Sequence, residues 1–261
     1  MAYASNNGIR IWYEIDGNGP PLLLHIGFAG WLENWIDAGY VAAFKESFQL
    51  VLIDPRGQGR SDRPFDPAAY SMTNRVNDVL AVMDDMGLTR AHFWGYSLGG
   101  RVGYALGQLA PDRLASLVIG GASPFGGYPR PVEGDGMIAS LKQGMEGLVA
   151  EWEASYPECW LSPGERERTL ASDAEALAAA WGARLADQDM APDDVASIRV
   201  PAMLYAGTRD ALDEVERAAL LMPKAAFVPL ADLDHAQAFE RSDLVVPHVL
   251  DFLATVDFGS M

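Results

Sequence analysis

The chain contains a single cysteine, Cys159, so no intramolecular disulfide can form. That usage suits a reducing compartment. Cys159 stands in Pro157-Glu158-Cys159-Trp160, away from any acid or base motif, and reads as small apolar filler or a free thiol. Basic residues are also scarce: 19 Lys and Arg face 36 Asp and Glu, a net charge of −17. Such a surface disfavours nucleic acid and anionic membrane as partners. It also argues softly against a strongly anionic substrate, although the field at a site can differ from the global one. No run approaches the ~18 consecutive apolar residues of a membrane span. Residues Met1 to Asn7 lack the basic start and apolar run of a signal peptide, so a cytoplasmic location is expected. Internal repeats and low-complexity tracts are missing. So are metal-ligand spacing and a phosphate-cradling loop, and no cofactor or metal is expected.

What remains is an ordinary globular composition. Of 261 residues, 49% are hydrophobic and 21% charged, ample for a sizeable core. Residues 9–15 are β-rich and end at the turn-like Asp16-Gly17-Asn18-Gly19-Pro20. Leu22-Leu23-Leu24-His25-Ile26 and Phe48-Gln49-Leu50-Val51-Leu52-Ile53 are short apolar runs that fit strands buried on both faces. Val76, Val79, Leu80, Met83 and Met86 fall at helical spacing, and Gly87 ends that helix. Further strands are expected at 91–96, 117–119, 202–206 and 226–230, with a last helix near 244–254. Strand and helix alternate, which implies an α/β fold with a mostly parallel sheet and helices on both faces. The rhythm breaks between Pro124 and Pro192, where helical patches carry Trp152, Trp160 and Trp181 without a convincing strand. The expected organisation is a core of 1–123 and 193–261 with a helical insertion at 124–192.

The chemistry concentrates at Gly95-Tyr96-Ser97-Leu98-Gly99. A Gly-x-Ser-x-Gly pentapeptide is weak alone, but here a β-like run precedes it and an amphipathic helix follows. A serine at so sharp a turn needs small neighbours and sits at a helix N-terminus that favours negative charge. Its hydroxyl needs a base. Only four histidines are present. His92 lies within a strand and His248 on the terminal helix, whereas His235 follows a strand, on the sheet edge where Ser97 also stands. His235 is the expected base. Asp210, just past the strand 202–206, is the expected orienting carboxylate; Asp213 competes, and the adjacent Asp234 reads as a loop charge.

With Asp54-Pro55-Arg56-Gly57-Gln58-Gly59-Arg60-Ser61 and the chain order Ser97, Asp210, His235, the sequence resembles the α/β-hydrolase superfamily over nearly its full length. The resemblance implies a cap over the active site from about 124 to 192. It also implies an oxyanion hole with one donor from Leu98 N–H and another from the loop after Leu22-Leu23-Leu24. That loop reads His25-Ile26-Gly27-Phe28 where relatives usually read His-Gly-x. Phe28 N–H is the second donor in an ungapped reading, or Gly27 if a residue is inserted. A serine at 97 points away from the dehalogenase and epoxide hydrolase branches, which need a carboxylate nucleophile. It fits acyl transfer on an ester or lactone of a small, neutral, largely apolar molecule, with Trp152, Trp160 and His25 as candidate pocket residues. An amidase, a C–C hydrolase, a perhydrolase or a slow-turnover receptor would keep the same three residues.

Overall fold

Leu22, Leu23 and Leu24 are all buried, yet they serve two different cores: Leu23 packs on one face of the sheet, Leu22 and Leu24 on the other. Phe93 and Trp94 part in the same way, as do Ile119 and Val118. Successive strand side chains point to opposite faces. A continuous apolar run therefore marks a sheet covered on both sides. The computed structural model describes residues 1–125, 136–155 and 161–256. Its strands are β1 (Ala2–Asn6), β2 (Ile9–Asp16), β3 (Pro21–His25), β4 (Gln49–Ile53), β5 (Ala91–Tyr96), β6 (Leu114–Gly120), β7 (Ala202–Gly207) and β8 (Ala225–Leu230). They form one sheet in the order β1-β2-β4-β3-β5-β6-β7-β8. The β1–β2 and β2–β4 pairs are antiparallel and all others parallel.

The helices Met72–Asp85, Leu98–Leu109 and Leu212–Leu221 cover the first face. Ser242–Thr255 covers the second, together with Trp35, Tyr40 and Phe44 from two short helices after β3. The terminal helix starts two residues earlier than expected, so Pro247 lies beyond its first turn. That proline is exposed, so the carbonyl it leaves without a helical partner can meet water. Between β6 and β7 lie Gly136–Leu141, Met145–Ser155, Pro163–Leu170, Ala174–Ala186 and Pro192–Ser197. No helix among the described residues is long and apolar enough to cross a membrane.

The chain runs from β3 to β4, then returns to β5 on the other side of β3, so strand order reverses there. At such a point, the loops leaving adjacent parallel strands diverge and open a crevice beyond their carboxyl ends. His25 stands opposite Gly95 in the β3–β5 register, which puts the loop after β3 beside Ser97.

Two histidines are built into this sheet. His25 and His92 are each 2% exposed, and burial pulls both down to about 4. His92 Nδ1 lies 2.8 Å from Ser116 Oγ. Both rings stay neutral in the folded protein to well below the ~6.5 at which the unfolded chain takes up their protons. Their contribution to stability is intact above pH ~6.5 and is lost as pH falls towards 4. Asp54 and Asp187, whose carboxyls burial pushes up, oppose part of that loss. In urea titrations from pH 7 to 4.5, His92→Gln is expected to flatten the pH dependence by up to about 1.4 kcal/mol per pH unit. Curves parallel to the parent would contradict a neutral buried His92.

Candidate active site

Ser97 follows β5 directly and precedes the helix Leu98–Leu109, with φ 56° and ψ −118°. A side chain in that left-handed region costs of order 1–3 kcal/mol, so the surroundings must hold it. Ser97 N–H donates to the Gly120 carbonyl at 2.8 Å, and Arg101 N–H donates to the Ser97 carbonyl at 3.1 Å. The turn is also too tight for side chains at its flanks. A Cβ on Gly95 would lie 2.1 Å from the Gly99 carbonyl oxygen, and one on Gly99 would lie 2.1 Å from that of His25.

Asp210 and His235 arrive on loops stitched to each other. Thr208 N–H donates to the Leu230 carbonyl at 2.9 Å, and Arg209 N–H to that of Leu233 at 3.0 Å. The result is a continuous hydrogen-bonded array: Ser97 Oγ to His235 Nε2 at 3.0 Å, and His235 Nδ1 to Asp210 Oδ2 at 2.8 Å. With the proton on Nδ1, the ring donates to Asp210 and accepts from the serine hydroxyl. The Tyr96 hydroxyl donates to the His235 carbonyl and ties the histidine loop to the serine turn. The side chains of His235 and Asp210 are 20% and 11% exposed, enough to exclude most water while leaving the ring reachable. Asp213 is exposed at the start of its helix. Asp234 instead accepts from Ala236 and Gln237 N–H and caps the following turn.

A family model described as the alpha/beta hydrolase fold matches residues 20–159. The chain belongs to the α/β-hydrolase family. A relative from Azorhizobium caulinodans, provisionally named carbamate hydrolase RutD, is 30% identical and aligned over 98% of this chain and 100% of its own. Among solved structures, a hydrolase from Pseudomonas aeruginosa superposes with a TM-score of 0.85 at 28% identity, covering 97% of this chain and 98% of that one. The enol-lactonase from Burkholderia xenovorans gives 0.82, also at 28% identity, over 97% and 100%.

In this α/β hydrolase the loop after β3 lies against the serine: a Cβ on Gly27 would come within 2.9 Å of Ser97 Cβ. Gln58, only 1% exposed, fixes that loop. Its Nε2 donates to the carbonyls of Gly27 (2.9 Å) and Gly30 (2.7 Å), and its Oε1 accepts from Ala29 N–H at 3.0 Å. Among the described residues, no acceptor meets Phe28 N–H or Leu98 N–H. Phe28, Leu98 and Ser97 border one small cleft. The segment carrying Gln58 is itself locked, because buried Asp54 accepts from Leu32 and Arg60 N–H, and Arg56 pairs with buried Asp78. Sequence reading noticed this segment as a family motif without seeing that Gln58 braces the loop beside Ser97.

Ser97 and His235 line a cavity of about 260 Å³. Phe28 comes from the loop after β3, Met137, Trp152 and Trp181 from helices between β6 and β7, and Leu161 from the residues just before Pro163–Leu170. Trp152 therefore reaches the cavity, and so does Trp181. Trp160, like Tyr156 and Cys159, lies outside the described residues. His25 is not at the cavity. Its ring is buried, 6.0 Å from that of Phe93, with Nδ1 3.0 Å from the Ile26 carbonyl, so the candidate role in the pocket is corrected to a packing one. The reason is the close approach of Gly99, which covers the end of β3.

Proposed function

We propose that the protein is a serine hydrolase that cleaves a carboxylic ester or lactone of a small molecule with a largely apolar body, through an acyl-enzyme on Ser97. The observation that carries this reading is the unbroken array Ser97–His235–Asp210 beside a cavity whose walls are mostly apolar. His235 Nε2 takes the hydroxyl proton as Ser97 Oγ attacks the carbonyl carbon, and Asp210 stabilises the imidazolium that forms. The N–H groups of Phe28 and Leu98 hold the oxyanion, each such donor being worth about 2.7–4 kcal/mol in the transition state. The leaving alkoxide takes the proton from His235. Water, deprotonated by the same ring, then attacks the acyl carbon and releases the acid and free Ser97. The helices spanning 136–186 act as a cap whose aromatic side chains hold the substrate's apolar body.

The relative named for carbamates and the neighbour titled an enol-lactonase make carbamate and lactone bonds natural members of a substrate panel with simple esters. All three present an electrophilic carbonyl to the same hydroxyl. The decisive experiment treats the protein with a fluorophosphonate and maps the adduct by mass spectrometry. A single adduct on Ser97 is expected; labelling elsewhere, or none, would sink the reading.

A further inference from the structure

Two arginines meet at the small cleft beside Ser97. Arg101 follows Ser97 by four residues on the same helix and therefore rises from the same face. Arg184 comes from the last turn of Ala174–Ala186, across the cleft. The cleft measures about 40 Å³, and it is also bordered by Phe28, Leu98, Trp181, Ser97 and the segment Gly121 to Ser123. Since one water needs roughly 10–15 Å³ by the same measure, there is room for about three small heavy atoms, enough for the oxyanion beside Phe28 and Leu98 and the two oxygens of a carboxylate.

The charges in this cleft are not neutralised from within it. The Arg101 side chain is 9% exposed; Nη1 donates to the Ser123 carbonyl at 2.8 Å, and Nε is buried with no hydrogen-bond partner. Arg184 has no hydrogen bond or ion pair among the described residues. Asp189 stands 3.9 Å from Arg101 Nη2, and Asp187 lies within electrostatic reach of both arginines, but neither carboxylate borders the cleft. Burial, and next the charge of Arg184, pull Arg101 down to about 10, so its guanidinium remains charged at neutral pH. Two basic side chains lining one small cleft, in a chain of net charge −17, form an arrangement completed by an anion.

We propose that this cleft binds a carboxylate carried by the substrate, a few bonds from the scissile carbonyl, while the apolar remainder fills the larger cavity. Ser97 borders both spaces, so one molecule can span them across the reacting bond. The inference rests on the hydrolase reading above and names its substrate class: a hemiester of a dicarboxylic acid, or a lactone of a hydroxy-dicarboxylic acid, in place of the neutral substrate that composition alone suggests.

The test compares p-nitrophenyl hydrogen glutarate with p-nitrophenyl valerate, which match in length but differ in charge. The parent should favour the glutarate ester at least about tenfold in kcat/KM. Arg184→Gln should cut that preference about 10- to 100-fold, chiefly by raising KM for the charged ester. Arg101→Gln should act in the same direction, with Arg101→Lys recovering part of the preference. No preference in the parent, or equal losses for both esters in Arg184→Gln, would overturn the subsite. Thermal melting with glutarate against glutaramide separates the two levels. If neither ester turns over, the hydrolase reading fails. Stabilisation by glutarate that Arg184→Gln removes then still supports the cleft, and stabilisation absent or unchanged overturns it.

Discussion

Replacing Ser97 with alanine is expected to lower kcat for a small activated ester by about 10⁵–10⁶-fold while leaving the fold intact. The size follows from what the substitution removes. Without Oγ there is no acyl-enzyme, and His235 has no hydroxyl to deprotonate; comparable nucleophile deletions in serine hydrolases cost about 10⁶ in kcat. Activity should not reach zero, because binding and the oxyanion donors together leave roughly 10³–10⁴-fold over water. The fold should tolerate the change. Alanine has the same Cβ as serine, so the positive φ at 97 is no more strained, and the backbone bonds to Gly120 and Arg101 remain. Steady-state rates with p-nitrophenyl acetate, beside a melting curve to verify folding, provide the measurement. Turnover within tenfold of the parent in a folded Ser97→Ala protein would refute an acyl-enzyme on Ser97.

Asp210→Asn should lower kcat by about 10⁴-fold with little change in KM. The carboxylate accepts a hydrogen bond from His235 Nδ1 at 2.8 Å, which fixes the proton there and leaves Nε2 free to accept from Ser97. An asparagine amide can instead donate to Nδ1 and push the proton to Nε2, where the ring can no longer act as base. The neighbouring carboxylates provide the contrast. Asp213 is exposed, and Asp213→Asn should stay within about twofold of the parent, as exposed substitutions away from such features usually do. A Michaelis–Menten comparison of the two variants decides between them. A large loss in Asp213→Asn with little in Asp210→Asn would exchange their roles.

The parts of this molecule legible in its sequence are those set by local chemistry. Seven of the eight strands are legible: β3 to β7 as short apolar runs, because a sheet covered on both faces needs apolar residues at every position, β8 as an apolar run left largely half-buried, and β2 as the β-rich stretch before the turn at Asp16-Gly17. The missing one, β1, is Ala2–Asn6, with only two residues buried at an edge; its pattern is too short and too polar to stand out. Pairing with β2 and the bonds from Asn6 to Asn74 and Asp78 hold it, and those are long-range contacts. Ser97, Asp210 and His235 could be nominated because parallel strands deliver their following loops to one edge. The cleft of Arg101 and Arg184 could not be nominated that way. It depends on how the helix Ala174–Ala186 lies over the turn at Ser97, and no period or motif encodes that approach. His25 misled for a related reason: its place in the loop motif suggested a pocket, whereas the approach of Gly99 seals it inside.

The bracing of the loop after β3 by Gln58 separates two kinds of inheritance within the same chain. Ser97, the Gly27–Gly30 loop and its glutamine clamp are held by hydrogen bonds in which no described residue between β6 and β7 takes part, while Phe28 and Ala29 pack on Trp181 and Leu141 from those helices. Trp152, Trp181 and Arg184 belong to the helices between those strands. Descendants of this protein could therefore exchange the walls that select a molecule without disturbing the groups that break its bond. A library varied only within 136–186 should redistribute substrate preference while reaction chemistry stays constant.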